Sequence, residues 1–103
     1  MKAIKNYIDN GQKVIVRTEK AGVFYGTITE MEGQTVEIAK CRRIWYWDGA
    51  ASLSELSQTG PKKPARCKFS VTVSSMVVMG VKEILPCTDA AIKVIEEVPE
   101  WRA

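Results

Sequence analysis

The stretch Val23-Phe-Tyr-Gly-Thr-Ile-Thr-Glu-Met31 decides the fold. It is rich in β-branched and aromatic residues and reads as a strand, with Phe24, Gly26 and Ile28 on one face. A glycine inside a strand weakens it unless the chain bends sharply there or another backbone comes close. Gly26 therefore marks a sharp bend or a close backbone approach. Upstream, Lys13 to Lys20 is rich in Val and Ile and forms a neighbouring strand across the Ala21-Gly22 turn. Downstream, Glu32-Gly33 supplies a tight hairpin turn into a long third strand, Gln34 to Trp47. Apolar parity breaks around Ala39–Cys41, which predicts a bulge or a strong bend.

Short helices flank these strands. Ile4, Tyr7 and Ile8 fall at helical spacing, and Asn10-Gly11 ends the pattern. Ser52-Leu-Ser-Glu55 matches a capping box, with Leu53 and Leu56 as one apolar edge and Gly60-Pro61 as the stop. Pro61-Lys-Lys-Pro64 is an exposed basic loop. Phe69, Val71 and Val73 alternate with Lys68, Ser70 and Thr72, as a half-buried strand requires. Met76 to Met79 is apolar and ambiguous, and Val81 to Leu85 is a last strand ended by Pro86. Thr88 caps a final helix over Asp89 to Glu97, Pro99 stops it, and Trp101 packs back onto the domain. The expected fold is α+β and mainly β. It is a small, strongly bent antiparallel β-barrel with an N-terminal helix, a helical insertion and a C-terminal helix, all in one domain over residues 1–103.

Composition narrows the function. The 46% hydrophobic and 26% charged fractions are those of an ordinary globular chain. The net charge of +3, from 15 Lys+Arg against 12 Asp+Glu, permits an anionic partner without demanding one. No apolar run reaches the roughly 18–20 residues of a membrane span, and Met-Lys-Ala-Ile-Lys lacks a signal-peptide core, so the expected location is cytoplasmic, with no membrane partner. Cys41, Cys67 and Cys87 are odd in number and scattered, and read as small buried apolar groups. Neither a metal nor a cofactor is expected. With no histidine, Ser-His and Cys-His nucleophile pairs are excluded, and the chain reads as a non-enzyme.

The candidate site is Arg42-Arg-Ile-Trp-Tyr-Trp-Asp-Gly49. On a strand, Arg43, Trp45 and Trp47 share one face and Arg42, Ile44 and Tyr46 the other. If only one face is core, the other exposes aromatics beside arginine, the composition of binding surfaces. A nucleobase stacks on Trp or Tyr, and a phosphate pairs bidentately with Arg. The candidate ligand-binding residues are thus Arg42, Arg43, Trp45, Tyr46 and Trp47. Tyr25 joins them from a neighbouring strand, and Ser52 stands at a helix N-terminus able to receive an anion. Lys62, Lys63 and Arg66 form a second basic cluster for anion contact. Two other readings fit the same residues: Trp45 and Trp47 as core with the arginines as a solvated edge, or the aromatics as a subunit interface.

The order of helix, three antiparallel strands, helical insertion, two strands and helix resembles Sm-like small barrels over roughly Met1 to Leu85. Gly22-Val-Phe-Tyr-Gly-Thr-Ile28 looks like the turn and bent strand of such barrels. The family's Asp/Asn pair is absent after Val36-Glu-Ile38, and its short Arg-Gly signature is missing, so the resemblance implies the barrel and not the usual RNA pocket. Arg42-Arg-Ile-Trp-Tyr-Trp-Asp-Gly-Ala50, with Ser52-Leu53 and Leu56, also resembles an uncharacterised family of small phage and prophage proteins. Cys67-Lys-Phe-Ser-Val71 and Ile84-Leu-Pro-Cys-Thr88 carry the same likeness. It implies a phage accessory protein in the host cytoplasm.

The expected function is capture of a small anionic aromatic ligand, such as a cyclic or linear nucleotide signal, in a phage setting as a counter to host defence. The alternatives are an oligomeric small barrel binding RNA or DNA, which the modest charge disfavours, and a module that inhibits a host protein. Exposed sheet edges lead us to expect a homo-oligomer.

Overall fold

The computed structural model describes residues 2–103; Met1, part of the expected domain, lies outside them. Helix α1 (Lys2–Asn10) leads into β1 (Lys13–Thr18), β2 (Val23–Glu32) and β3 (Thr35–Tyr46). Helix α2 (Leu53–Thr59) and a 3-10 turn (Pro64–Arg66) follow, then β4 (Lys68–Phe69), β5 (Val73–Val78), β6 (Val81–Pro86) and α3 (Asp89–Glu97). The sheet is antiparallel in the order β4-β3-β2-β1-β6, and β5 pairs with β3 beside β4.

The expected single strand through Phe69, Val71 and Val73 is broken in two. β4 pairs with the Ile44–Tyr46 end of β3, and β5 pairs with Val36 to Cys41. The break answers a bend in β3. Lys40 takes the left-handed conformation (φ 51°), and the β2–β3 register shifts between Tyr25 and Thr27. This is the expected bulge. Gly26 lies opposite it: a Cβ there would stand 2.5 Å from Ile38 Cγ2 and 2.8 Å from the Ala39 carbonyl oxygen.

The sheet bends strongly but does not close, because β5 and β6 are not hydrogen-bonded to each other. The barrel is therefore open among the described residues. Both faces of the sheet carry a core. On one, Ile15, Tyr25, Ile44 and Phe69 pack with Leu56 of α2 and Ala91 and Ile95 of α3. On the other, inside the bend, Val14, Val16, Phe24, Ile28, Val36 and Ile38 pack together, with Tyr7 and Ile8 of α1 against them. The bulge decides which β3 residues face which core. Before Lys40, Val36 and Ile38 point into the bend; after it, Cys41 does, and Ile44 turns to the helices.

Thr88 caps α3 through the Ala91 N–H, and Ser52 caps α2 through the Glu55 N–H. No helix among the described residues is long and apolar enough to cross a membrane.

Candidate functional site

The Arg-aromatic block is divided by the two cores. Arg42 is only 4% exposed. Its Nε donates to the Ser70 carbonyl at 3.1 Å and its Nη1 to that of Ile95 at 3.1 Å. Its Nη2 donates to the carbonyls of Val98 at 3.0 Å and Pro99 at 3.3 Å. The guanidinium also lies over the Phe69 ring, 5.2 Å from its centre. Burial pulls it below the usual arginine pKa, opposed by the charges of Glu100 and Glu96. It closes the C-terminal end of α3, where free carbonyls need donors.

Tyr25 is interior as well, at 1% exposure, and its hydroxyl donates to Glu96 Oε1 at 3.1 Å. Burial, then the Glu96 charge, pushes its phenol well above the usual value. Neither Arg42 nor Tyr25 stands on the surface where the sequence reading put it. The expectation of one core face and one free face is replaced by a sheet covered on both sides.

Arg43 is half-buried. Its guanidinium sits 4.6 Å above the Phe24 ring and donates to the Ala21 carbonyl across the β1–β2 turn. Trp47 is half-buried too, packed on the helix-side core with its indole N–H on the Ala50 carbonyl at 3.2 Å. Ser52 is occupied as a cap: its hydroxyl oxygen accepts from the Glu55 N–H at 3.2 Å, and Glu55 Oε1 accepts from the Ala51 N–H at 3.0 Å. The donors proposed for an anion at this helix are used internally.

Trp45, at 65% exposure, and Tyr46, at 49%, remain open to solvent. Trp101, 50% exposed, joins them from the C-terminal segment. The Trp45 and Trp101 rings stand 6.2 Å apart with a 33° tilt. Lys68 Nζ lies 5.2 Å from the Trp101 ring centre, and Lys68 pairs with Tyr46 across the β3–β4 ladder. The C-terminal segment is held there as an extra strand. Glu100 bridges Phe69 in parallel, the Trp101 N–H donates to the Phe69 carbonyl at 2.8 Å, and Glu100 Oε2 accepts from the Thr72 N–H at 3.0 Å. That Thr72 N–H, then Arg102, holds the Glu100 carboxyl below its usual range.

The second basic cluster comes alongside. The Lys62 N–H donates to the Gly49 carbonyl at 3.0 Å, and Gly49 approaches the Lys62 and Lys63 backbone so closely that a Cβ would stand 2.6 Å from each nitrogen. Cys67 Sγ accepts from the Asp48 N–H at 3.4 Å, tying the same two loops. Arg66 pairs with Asp48 at 3.1 Å. Among the described residues, Lys62, Lys63 and Lys68 have no carboxylate partner, and all three are exposed. The surface from Lys62 to Lys68 along Tyr46–Gly49 thus joins aromatic rings to uncompensated cations. Trp101 and Lys68 are absent from the sequence-based candidates. The alternation around Phe69 signalled that Lys68 faces outward, but nothing local places Trp101 against Trp45.

All three cysteines are free and buried. Burial raises each thiol, Cys41 to about 11 and Cys87 to about 12, so all three stay protonated near neutral pH.

The well-formed clefts lie away from these rings. One of roughly 390 Å³, between α1 and the β2–β3 hairpin, is lined by Ile4, Ile8 and Met31. Its two charged residues, Lys5 and Asp9, bond each other at 2.8 Å. It offers no convergent polar groups to orient a ligand.

Residues 11–95 match the family described as Domain of unknown function (DUF6948). The chain belongs to the DUF6948 family. The matched span runs from Gly11, just before β1, to Ile95, so Trp101 lies beyond it. No curated protein matches the chain. Among solved structures, the DUF6948 fold is similar to a heptameric archaeal Sm protein, with a TM-score of 0.56 over 85% of this chain and 100% of that one. At 15% identity the likeness is one of fold alone.

Proposed function

We propose that this DUF6948 chain is a non-enzymatic, homo-oligomeric protein that holds single-stranded nucleic acid on its Trp45–Tyr46–Trp101 surface. The observation that carries this reading is the pair of exposed tryptophans beside Lys68. Large rings left in solvent beside cations suit base stacking, worth about 1–3 kcal/mol per base. Lys62, Lys63 and Lys68 supply phosphate contacts. Capture of one nucleotide in an enclosed site draws less support, since Arg42, Tyr25 and Ser52 are engaged internally and the remaining surface is open.

The outer edges of β5 and β6 lack strand partners, which favours pairing with further copies. The heptameric state of the similar Sm protein supports the same reading. In the phage setting that the sequence resemblance implies, the occupant would be a single strand in the host cytoplasm.

Fluorescence anisotropy with a single-stranded RNA of about twelve nucleotides, against its duplex, tests the proposal. Native mass spectrometry of the same samples reads the subunit number. Single strands bind and the duplex binds at least tenfold more weakly. With three uncompensated lysines per subunit, the logarithm of affinity falls against the logarithm of salt with a slope of about −2 per engaged subunit. Equal binding of duplex and single strand, or no binding at low salt, would overturn it.

A further inference from the structure

We propose that Trp45 and Trp101 are the two jaws of a clamp for one unpaired nucleobase, with Glu100–Trp101 as the movable jaw. This rests on the single-strand reading above and adds how that surface grips. Trp45 belongs to β3, whose neighbour Ile44 is buried in the core, so its position is fixed. Trp101 hangs on a short segment with a fixed root. Arg42 clasps the Val98 and Pro99 carbonyls at 3.0 and 3.3 Å. Beyond Pro99 the attachments are few: the bridge to Phe69, the Glu100 carboxylate on Thr72 N–H, and the Trp101 N–H on the Phe69 carbonyl. Glu100 and Trp101 are exposed, and segments with few buried contacts open most readily.

The two rings suit the occupant once they part. Stacked bases rise about 3.4 Å each, so two rings sandwiching one base stand roughly 6.8 Å apart. The observed 6.2 Å and 33° tilt are those of two rings packed directly on each other, so the jaws are closed in this structure. The Trp101 jaw has to swing off Trp45 and turn parallel to it to admit a base, which its few attachments beyond Pro99 allow. Lys68, over the Trp101 ring, is placed to meet a phosphate flanking that base. Glu100, the nearest acid on the jaw, is held by Thr72 and Arg102.

The test measures binding of an oligouridine of about twelve nucleotides and of an abasic strand with the same backbone. Wild type is compared with Trp45→Ala, Trp101→Ala, Trp101→Phe and the double alanine variant. Both tryptophans are at least half exposed, so the variants keep the fold, which circular dichroism checks. Each alanine weakens oligouridine binding about fivefold or more. The double variant falls little beyond the weaker single one, because both jaws grip the same base. Trp101→Phe retains most of the affinity, and the abasic strand binds all variants alike. Wild-type affinity in Trp101→Ala with a loss in Trp45→Ala overturns the clamp and leaves the single-strand reading standing, as does full additivity of the two losses. Oligouridine binding unchanged in all variants, or absent in wild type, overturns both.

Discussion

Arg42→Ala lowers the free energy of unfolding by about 4 kcal/mol. The guanidinium supplies donors to the carbonyls of Ser70, Ile95, Val98 and Pro99, and it fills the space over Phe69. Removing it takes a donor from each of these carbonyls, of which that of Ile95 keeps the Val98 N–H at 3.1 Å. Each buried acceptor so stranded costs about 1–3 kcal/mol, and partial rehydration keeps the sum below the full total. Arg42→Lys restores little, because an ammonium cannot present the planar fork that reaches four carbonyls at once. Urea unfolding followed by circular dichroism measures the effect, with the midpoint falling and the slope unchanged. A loss under about 1 kcal/mol would show that water replaces the guanidinium freely.

Gly26→Ala costs about 3 kcal/mol through overpacking. The added Cβ would stand 2.5 Å from Ile38 Cγ2, 2.8 Å from the Ala39 carbonyl and 3.2 Å from the Lys40 carbonyl. The Ile38 methyl can rotate away. The two carbonyls cannot, because they belong to the bulge that aims Arg42 and Ile44 at the helix-side core. The strand must move as a whole or the bulge must open. Thermal unfolding reads this as a fall in Tm of about 15 °C. A variant melting within about 2 °C of wild type would show that β3 has room to retreat.

These two residues also show what local pattern reveals. Gly26 declared a bend or a close backbone approach, and the structure shows the approach, onto the Ala39 and Lys40 carbonyls; the parity break at Ala39–Cys41 declared the bulge opposite it. Exposed edges were expected, but which strands carry them was not legible. Whether β5 meets β6 depends on the bend angle, and no single residue encodes that angle. Arg42 was misplaced for a different reason. Alternation put it opposite Arg43 correctly, but its hydrogen-bond partners include carbonyls 53 to 57 residues away, and a buried cation whose hydrogen-bond acceptors are all backbone carbonyls leaves no paired acid in the sequence to read. Tyr25 was placed at the surface for want of its partner Glu96, 71 residues on. The aromatic block singled out Trp45 and Tyr46, but alternation put them on opposite faces and did not foretell that both stand exposed. Its second jaw, Trp101, depends on a parallel pairing with β4 that follows only once α3 is docked.

Photo-crosslinking with a thiouridine-substituted single-stranded RNA, followed by mass spectrometry of the linked peptides, tests the central claim most directly. Adducts are expected on Trp45 or Tyr46 and on Lys68 or Trp101. They should disappear when unmodified single strand is added in excess and persist when duplex is added. Adducts confined to the α1 cleft or to the β5 and β6 edges, with none at Trp45 or Trp101, would contradict it.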